Sequence, residues 1–253
     1  MSLNRVRDVW QAGKVAFGVI VTMPSPQMMQ MLARAGFGWL LIDMEHGVID
    51  LTTAHAMILA TAGTPAVPLA RTALNAPWLA KPLLDAGVLG INVPMVRTQA
   101  EAETAGRAVR YPPHGDRMWG PFYAPLRWDL PMRDYMHAAN DAVISIITIE
   151  HIDAVRNIDA ILDAPGIDLA VIGPGDLATS LGHYAQPDHP DVLAAMRTVE
   201  EAVLKRGIPL GGPAFSADQA NRMTDAGYRF IGLGFDWLLV QKGAAALLDG
   251  VNR

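Results

Sequence analysis

Two acidic residues have the type and spacing to share one task. Glu150 closes the apolar run VISIITIE (143–150), and Asp176 follows the next such run, in LAVIGPGD. If the two runs are neighbouring strands, both carboxylates reach one spot. Two carboxylates in a chain without cysteine suit a hard divalent cation such as Mg2+, Mn2+ or Co2+. Two protein ligands leave positions open for water and substrate. The competing reading gives each carboxylate an arginine partner or a helix to cap. His46, in IDMEHG, is a candidate general base, since imidazole accepts a proton near neutral pH. A carboxylate would hold its tautomer. Asp85 in LLDAG is available for this, and Asp43 and Glu45 lie closer in sequence. Arg71 ends PLAR, where a permanently charged guanidinium suits a developing enolate oxygen or a salt bridge. In GPGD, Pro174 and Gly175 form a turn that opens a short helix. Its first amides are free for a substrate carboxylate, or Asp176 caps them.

The lysines exclude one chemistry. There are four: Lys14, Lys81, Lys205 and Lys242. An imine-forming enzyme needs a lysine on a strand, aimed inward. Lys14 precedes the first run and the other three fall in helical patterns. If a carbanion forms here, a metal must stabilise it.

These residues need a scaffold that brings strand ends together. Eight apolar runs recur: VAFGVIVT from Val15, WLLIDMEH from Trp39, AVPLAR from Ala66, GINVPMV from Gly90, VISIITIE from Val143, DLAVIGPGD from Asp168, PLGGPAF from Pro209 and RFIGLGFD from Arg229. Most are apolar throughout, as strands buried on both faces are. Helical patterns separate them, among them PQMMQMLARAG, QAEAETAGRAVR and PDVLAAMRTVEEAVLKRG, the last stopping at Gly207. Eight such units in 253 residues predict a (β/α)8 TIM barrel, one domain over 1–253, with chemistry at the C-terminal ends of the strands. An open doubly wound sheet fits less well, because no GxGxxG follows the first run; no nucleotide is expected. The long connection 111–136 is rich in proline and aromatics and reads as an interface or an active-site cover. The apolar last helix, WLLVQKGAAALLDG, would close the ring or pack on a neighbouring subunit. The histidines other than His46 read as surface or packing residues, His151 included.

Composition removes further classes. The chain is 51% hydrophobic and 18% charged, with a formal net charge of −5. Disorder is excluded by the apolar content, and a nucleic-acid partner by the missing basic stripe. Zero cysteines exclude a thiol nucleophile, a disulfide framework and cysteine-bound zinc or iron–sulfur. With no leader-like N-terminus and no run of membrane-spanning length, the expectation is a cytoplasmic protein with no membrane partner.

Taken in order, IDMEHG, PLAR, LLDAG, GINVPMV, ITIE and IGPGDLATSLG resemble the HpcH/HpaI family of class II pyruvate aldolases over nearly the whole chain. The pairing of IDMEHG with IGPGDL is the specific part. The resemblance implies a homo-hexamer, a dimer of trimers, whose C-terminal helix is swapped between subunits. It implies a divalent metal on Glu150 and Asp176, with pyruvate chelating it through carboxylate and keto oxygens. The amides of Gly175 and Asp176 would hold the pyruvate carboxylate. Arg71 would stabilise the enolate oxygen, and His46 would be the base, with Asp85 raising its basicity. The small-molecule partners implied are a 2-oxo acid, pyruvate or hydroxypyruvate, and an aldehyde. Thr148 stands where the family often has Gln, and a hydroxyl is shorter with fewer hydrogen bonds. Phe215, after the seventh run, would shape the aldehyde pocket. Two other expectations compete. One is an acyl-CoA lyase related to citrate lyase β chains, which needs a basic groove for phosphates. The other is a ligand-binding barrel without chemistry.

Overall fold

A computed structural model describes residues 3–251. Eight parallel strands close into a barrel in sequence order: β1 (Ala16–Val21), β2 (Trp39–Asp43), β3 (Val67–Arg71), β4 (Gly90–Val93), β5 (Ile144–Ile149), β6 (Leu169–Ile172), β7 (Leu210–Pro213) and β8 (Phe230–Phe235). All eight lie within the apolar runs. The chain is a (β/α)8 TIM barrel. The sixth run divides: its GPGD leaves the sheet and starts a helix.

The surrounding helices are α1 (Arg5–Gln11), α2 (Pro26–Arg34), α3 (Leu51–Ala60), α4 (Pro77–Ala86), α5 (Gln99–Ala108), α6 (Ala124–Arg127) and α7 (Met132–Ala142) in the first half. The second half adds α8 (Ile152–Arg156), α9 (Ile158–Leu162), α10 (Pro174–Ser180), α11 (Pro190–Lys205), α12 (Ala217–Asp225) and α13 (Asp236–Asp249). Local sequence starts several of them. The Ser25, Asp50 and Ser216 side chains accept the amides of Met28, Thr53 and Gln219. Thr98 and Glu101 form a reciprocal capping box on α5. At Gly18 a Cβ would run into the Trp39 indole, so glycine there lets the indole cross the barrel.

Helix α1 covers the N-terminal end of the barrel. Asn4 caps it and donates to Leu89 O and Ala142 O, and the Trp10 indole donates to Arg229 O at 2.8 Å. The connection 111–136 is partly buried. Tyr111, Ala124, Tyr135 and Ala139 build a small core of their own, and Arg127 donates to Thr61 Oγ1 at 2.6 Å. Trp119, Phe122, Tyr123 and Leu126 stay exposed on the single chain. So does most of α13, where Asp236 alone is fully buried. No helix among the described residues is long and apolar enough to cross a membrane.

Candidate active site

The C-terminal strand ends surround a cavity of about 370 Å3. Arg71, Asn92, Thr148, Glu150, Gly175, Asp176 and Phe215 all line it. Six of those seven are expected from the sequence; Asn92 is not. His46 and Asp85 are not among its lining residues.

Arg71 is fixed by register. Asp43 and Arg71 end neighbouring strands and stand opposite one another. The guanidinium makes a two-point contact, Nε to Asp43 Oδ1 at 2.9 Å and Nη2 to Oδ2 at 2.6 Å. Its Nε also lies 3.2 Å from Glu45 Oε2. Burial works against the charge on Arg71, but the Asp43 bonds and the charges of Glu45 and Glu150 hold its pKa above the ordinary value. Asp43 is likewise buried, yet Arg71 and the His46 and Glu45 amides bring its carboxyl below the usual range. The two residues form a closed unit, and one edge of it faces the cavity.

Glu150 is different. It is 3% exposed, and among the described residues no cation forms an ion pair with it. Oε1 accepts the Met95 amide at 2.7 Å, presented by a left-handed Met95 (φ 55°). Oε2 faces Gly173, where a Cβ would come within 2.8 Å of it. Burial pushes the carboxyl up to about 7, with the charges of Asp176 and Glu45 adding and the Met95 bond and Arg71 opposing. Glu45 is raised too, by burial first, with Asp43 and Asp176 contributing against Arg71 and His46. Its buried Oε2 makes no hydrogen bond.

Asp176 lies in the first turn of α10, and the N-cap is Gly173, which has no side chain to offer. Asp176 is therefore not the cap, and the capping alternative falls. The amides of Gly175 and Asp176 precede the first amide that donates within the helix, that of Leu177 to Gly173 O, and have no partner inside it. A Cβ at Gly175 would meet nothing within 4 Å, so there is open space beside them.

The residues fit a hard divalent cation. Four carboxylates (Asp43, Glu45, Glu150 and Asp176) act on one another around one guanidinium, which Asp43 already neutralises. An oxygen-only donor set with excess negative charge is what such an ion satisfies. Glu150 and Asp176 are the residues that could hold it. Elsewhere His183, His189 and Asp191 place donor atoms within 4.8 Å of one another. That trio has a structural account as well. His189 Nδ1 accepts the Asp191 amide at the start of α11, and the two imidazoles stack at 3.5 Å.

Three expectations are adjusted. His46 is 63% exposed, and its Nε2 lies 3.7 Å from Glu45 Oε2. The expected Asp85–His46 pair does not form within the chain. Asp85 accepts from Arg117 at 2.9 Å, and Arg117, whose side chain is fully buried, needs that anion. Thr148 donates to Asn92 Oδ1 at 2.7 Å, so its hydroxyl proton is already used. Among the other polar strand ends, Asp236 accepts the amides of Thr22, Met23 and Trp237, and His151 caps α8. Both are structural. Asn92 and Met95 carried little signal: one amide in GINVPMV, and a backbone angle no sequence prints.

Residues 17–242 match the family model HpcH/HpaI aldolase/citrate lyase. The chain belongs to the HpcH/HpaI aldolase/citrate lyase family. A 4-hydroxy-2-oxo-heptane-1,7-dioate aldolase of Klebsiella pneumoniae is 38% identical over 245 residues, 96% of this chain and 92% of that protein. An HpcH/HpaI family protein from Burkholderia cenocepacia superposes with a TM-score of 0.90 at 32% identity, covering 97% of this chain and 98% of that one. The citrate synthase SbnG superposes at 0.88 with 26% identity, covering 98% and 97%. Aldolase relatives over nearly the full length support a lyase.

Proposed function

We propose that the protein is a divalent-metal-dependent aldolase. It cleaves 4-hydroxy-2-oxo acids to pyruvate, or a related 2-oxo acid such as hydroxypyruvate, and an aldehyde. The observation that carries this is Glu150: a buried carboxylate with no ion-pair partner among the described residues, sharing a cavity with Asp176, Arg71 and two unengaged amides. Glu150 and Asp176 would hold Mg2+, Mn2+ or Co2+. When bound, that cation supplies Lewis-acid stabilisation of negative charge.

The chain's own groups do the rest. The Gly175 and Asp176 amides hold the 2-oxo acid carboxylate at the start of α10. His46 takes the proton from the C4 hydroxyl. The C3–C4 bond breaks, its electron pair stays on the C3 side as the enolate, and C4 leaves as the aldehyde carbonyl. Arg71, held still by Asp43, faces the enolate oxygen and costs no reorganisation. C3 then takes a proton and pyruvate forms. Glu45 is the carboxylate near His46 within one chain. Asp85 acts on His46 only across a contact between copies, in the hexamer with an exchanged α13. Thr148, with its proton on Asn92, offers a lone pair and a methyl group where an amide would offer N–H.

An acyl-CoA substrate is disfavoured, because Arg71 is the one cation lining the cavity among the described residues and it is already engaged. The test is exchange of the pyruvate C3 protons in D2O, followed by NMR. Exchange should need added Mn2+, stop with chelator, and persist in enzyme first treated with borohydride and pyruvate and then freed of both. Metal-independent exchange, or covalent trapping on a lysine, sinks the proposal.

A further inference from the structure

The cavity has two unlike sides. Its charged and polar lining comes from consecutive strand ends: Arg71 at the end of β3, Asn92 in β4, Glu150 after β5 and Asp176 beyond β6. The other side of the ring contributes Ile20 from β1, Pro213 and Phe215 from the end of β7, and Phe235 from β8. The Phe215 and Phe235 rings lie 6.2 Å apart with 26° between their planes, and Trp237 continues the stack at 5.8 Å from Phe235. No cation serves that side among the described residues. Arg71 is bound by Asp43 and Glu45. Lys242 gives its ammonium to the Phe215 carbonyl at 2.7 Å and does not line the cavity. Arg222 lines an adjoining cavity that shares Gly212, Pro213 and Phe215 with this one, but it does not line this one.

Resting on the aldolase reading, this asymmetry points to the second product. The 2-oxo acid occupies the polar side, so the aldehyde carbon faces it and the aldehyde's substituent runs toward β7, β8 and β1. The relatives are named for a heptanedioate. Splitting that skeleton between C3 and C4 leaves an aldehyde ending in a carboxylate. Such a carboxylate would leave water against an apolar face that no cation lines among the described residues, which is costly. We propose that this chain selects a neutral aldehyde with an apolar substituent, received by the Phe215–Phe235 face.

The experiment uses the full-length Mn2+-loaded enzyme, pyruvate and two matched aldehydes. Succinic semialdehyde carries the carboxylate, and 4-methylpentanal replaces it with an isopropyl group of the same shape. The expected kcat/KM favours 4-methylpentanal by about tenfold or more. A ratio of one, or a preference for succinic semialdehyde, overturns the proposal. Pyruvate C3 exchange is read on the same preparation. Exchange with a preference for the acid removes the aldehyde class and leaves the aldolase reading standing; no exchange removes both. Phe215→Arg, a partly exposed site, adds a cation to the apolar side and should shift the ratio about tenfold toward the acid. An unshifted ratio in the folded variant overturns the placement of the substituent. If the variant does not fold, the wild-type pair decides.

Discussion

The two ends of the barrel treat buried charges in opposite ways. At the N-terminal end they are paired within the chain, although the Arg7 Nε and Ser145 Oγ atoms there make no hydrogen bond among the described residues. Asn4 spends its oxygen on the Val6 amide and its NH2 on two carbonyls, and Arg7 and Arg110 share Asp168. Trp39 stacks on Phe230 at 4.0 Å with 8° between the rings and seals the floor. At the C-terminal end they are left in surplus. Glu45 and Glu150 are both held above the ordinary carboxyl range, and Glu45 Oε2 has no hydrogen bond. The lesson is that stability and chemistry occupy separate faces of one sheet. The floor can be satisfied permanently. The mouth stays unsatisfied until a ligand arrives.

The sharpest way to break this contrast is Glu150→Gln. It should lower aldol cleavage by about a thousandfold or more while leaving a folded barrel, judged by steady-state kinetics and circular dichroism. Activity within tenfold of wild type would mean that the surplus at the mouth is incidental.

The next effect concerns pH. The Glu150 carboxyl is raised from 4.5 to about 7 in the folded protein, so the folded state holds its proton more tightly than the unfolded chain. Its contribution to stability is full below pH ~4.5 and is lost as pH rises through ~7. Metal-free protein should therefore lose up to about 3 kcal/mol between those limits from this group. Urea unfolding at pH 5 and pH 8 measures it. Glu150→Gln should flatten the slope, and a slope of opposite sign in wild type that the variant keeps would assign it elsewhere.

The smallest effect tests the floor. Asn4→Ala removes a helix cap and two buried hydrogen bonds and should cost about 2 kcal/mol in chemical denaturation. Its kcat should stay within about twofold of wild type if the ends are independent, since distant sites add. A matching drop in kcat would couple the two ends.

Much of this was legible in one dimension. The eight apolar runs give eight strands because burial on both faces demands apolar residues at every position. Glu150, Asp176, Arg71 and Gly175 are legible because charge or glycine at the end of such a run has no packing purpose. The partners are not legible. Whether Arg71 meets Asp43 depends on the stagger between β2 and β3, which closure of the whole barrel sets. Asp85 looks available for His46 in the sequence. Yet the fold brings Arg117 to it from 32 residues away, and a buried guanidinium takes the nearest anion.

The sequence by itself determined the barrel, its strand ends and the stock of groups that could do chemistry there, because hydrophobic periodicity and residue type are local properties. Only the tertiary structure decided which charges are neutralised and which are left over. Pairing needs distances between strands, and those exist only once the ring has closed.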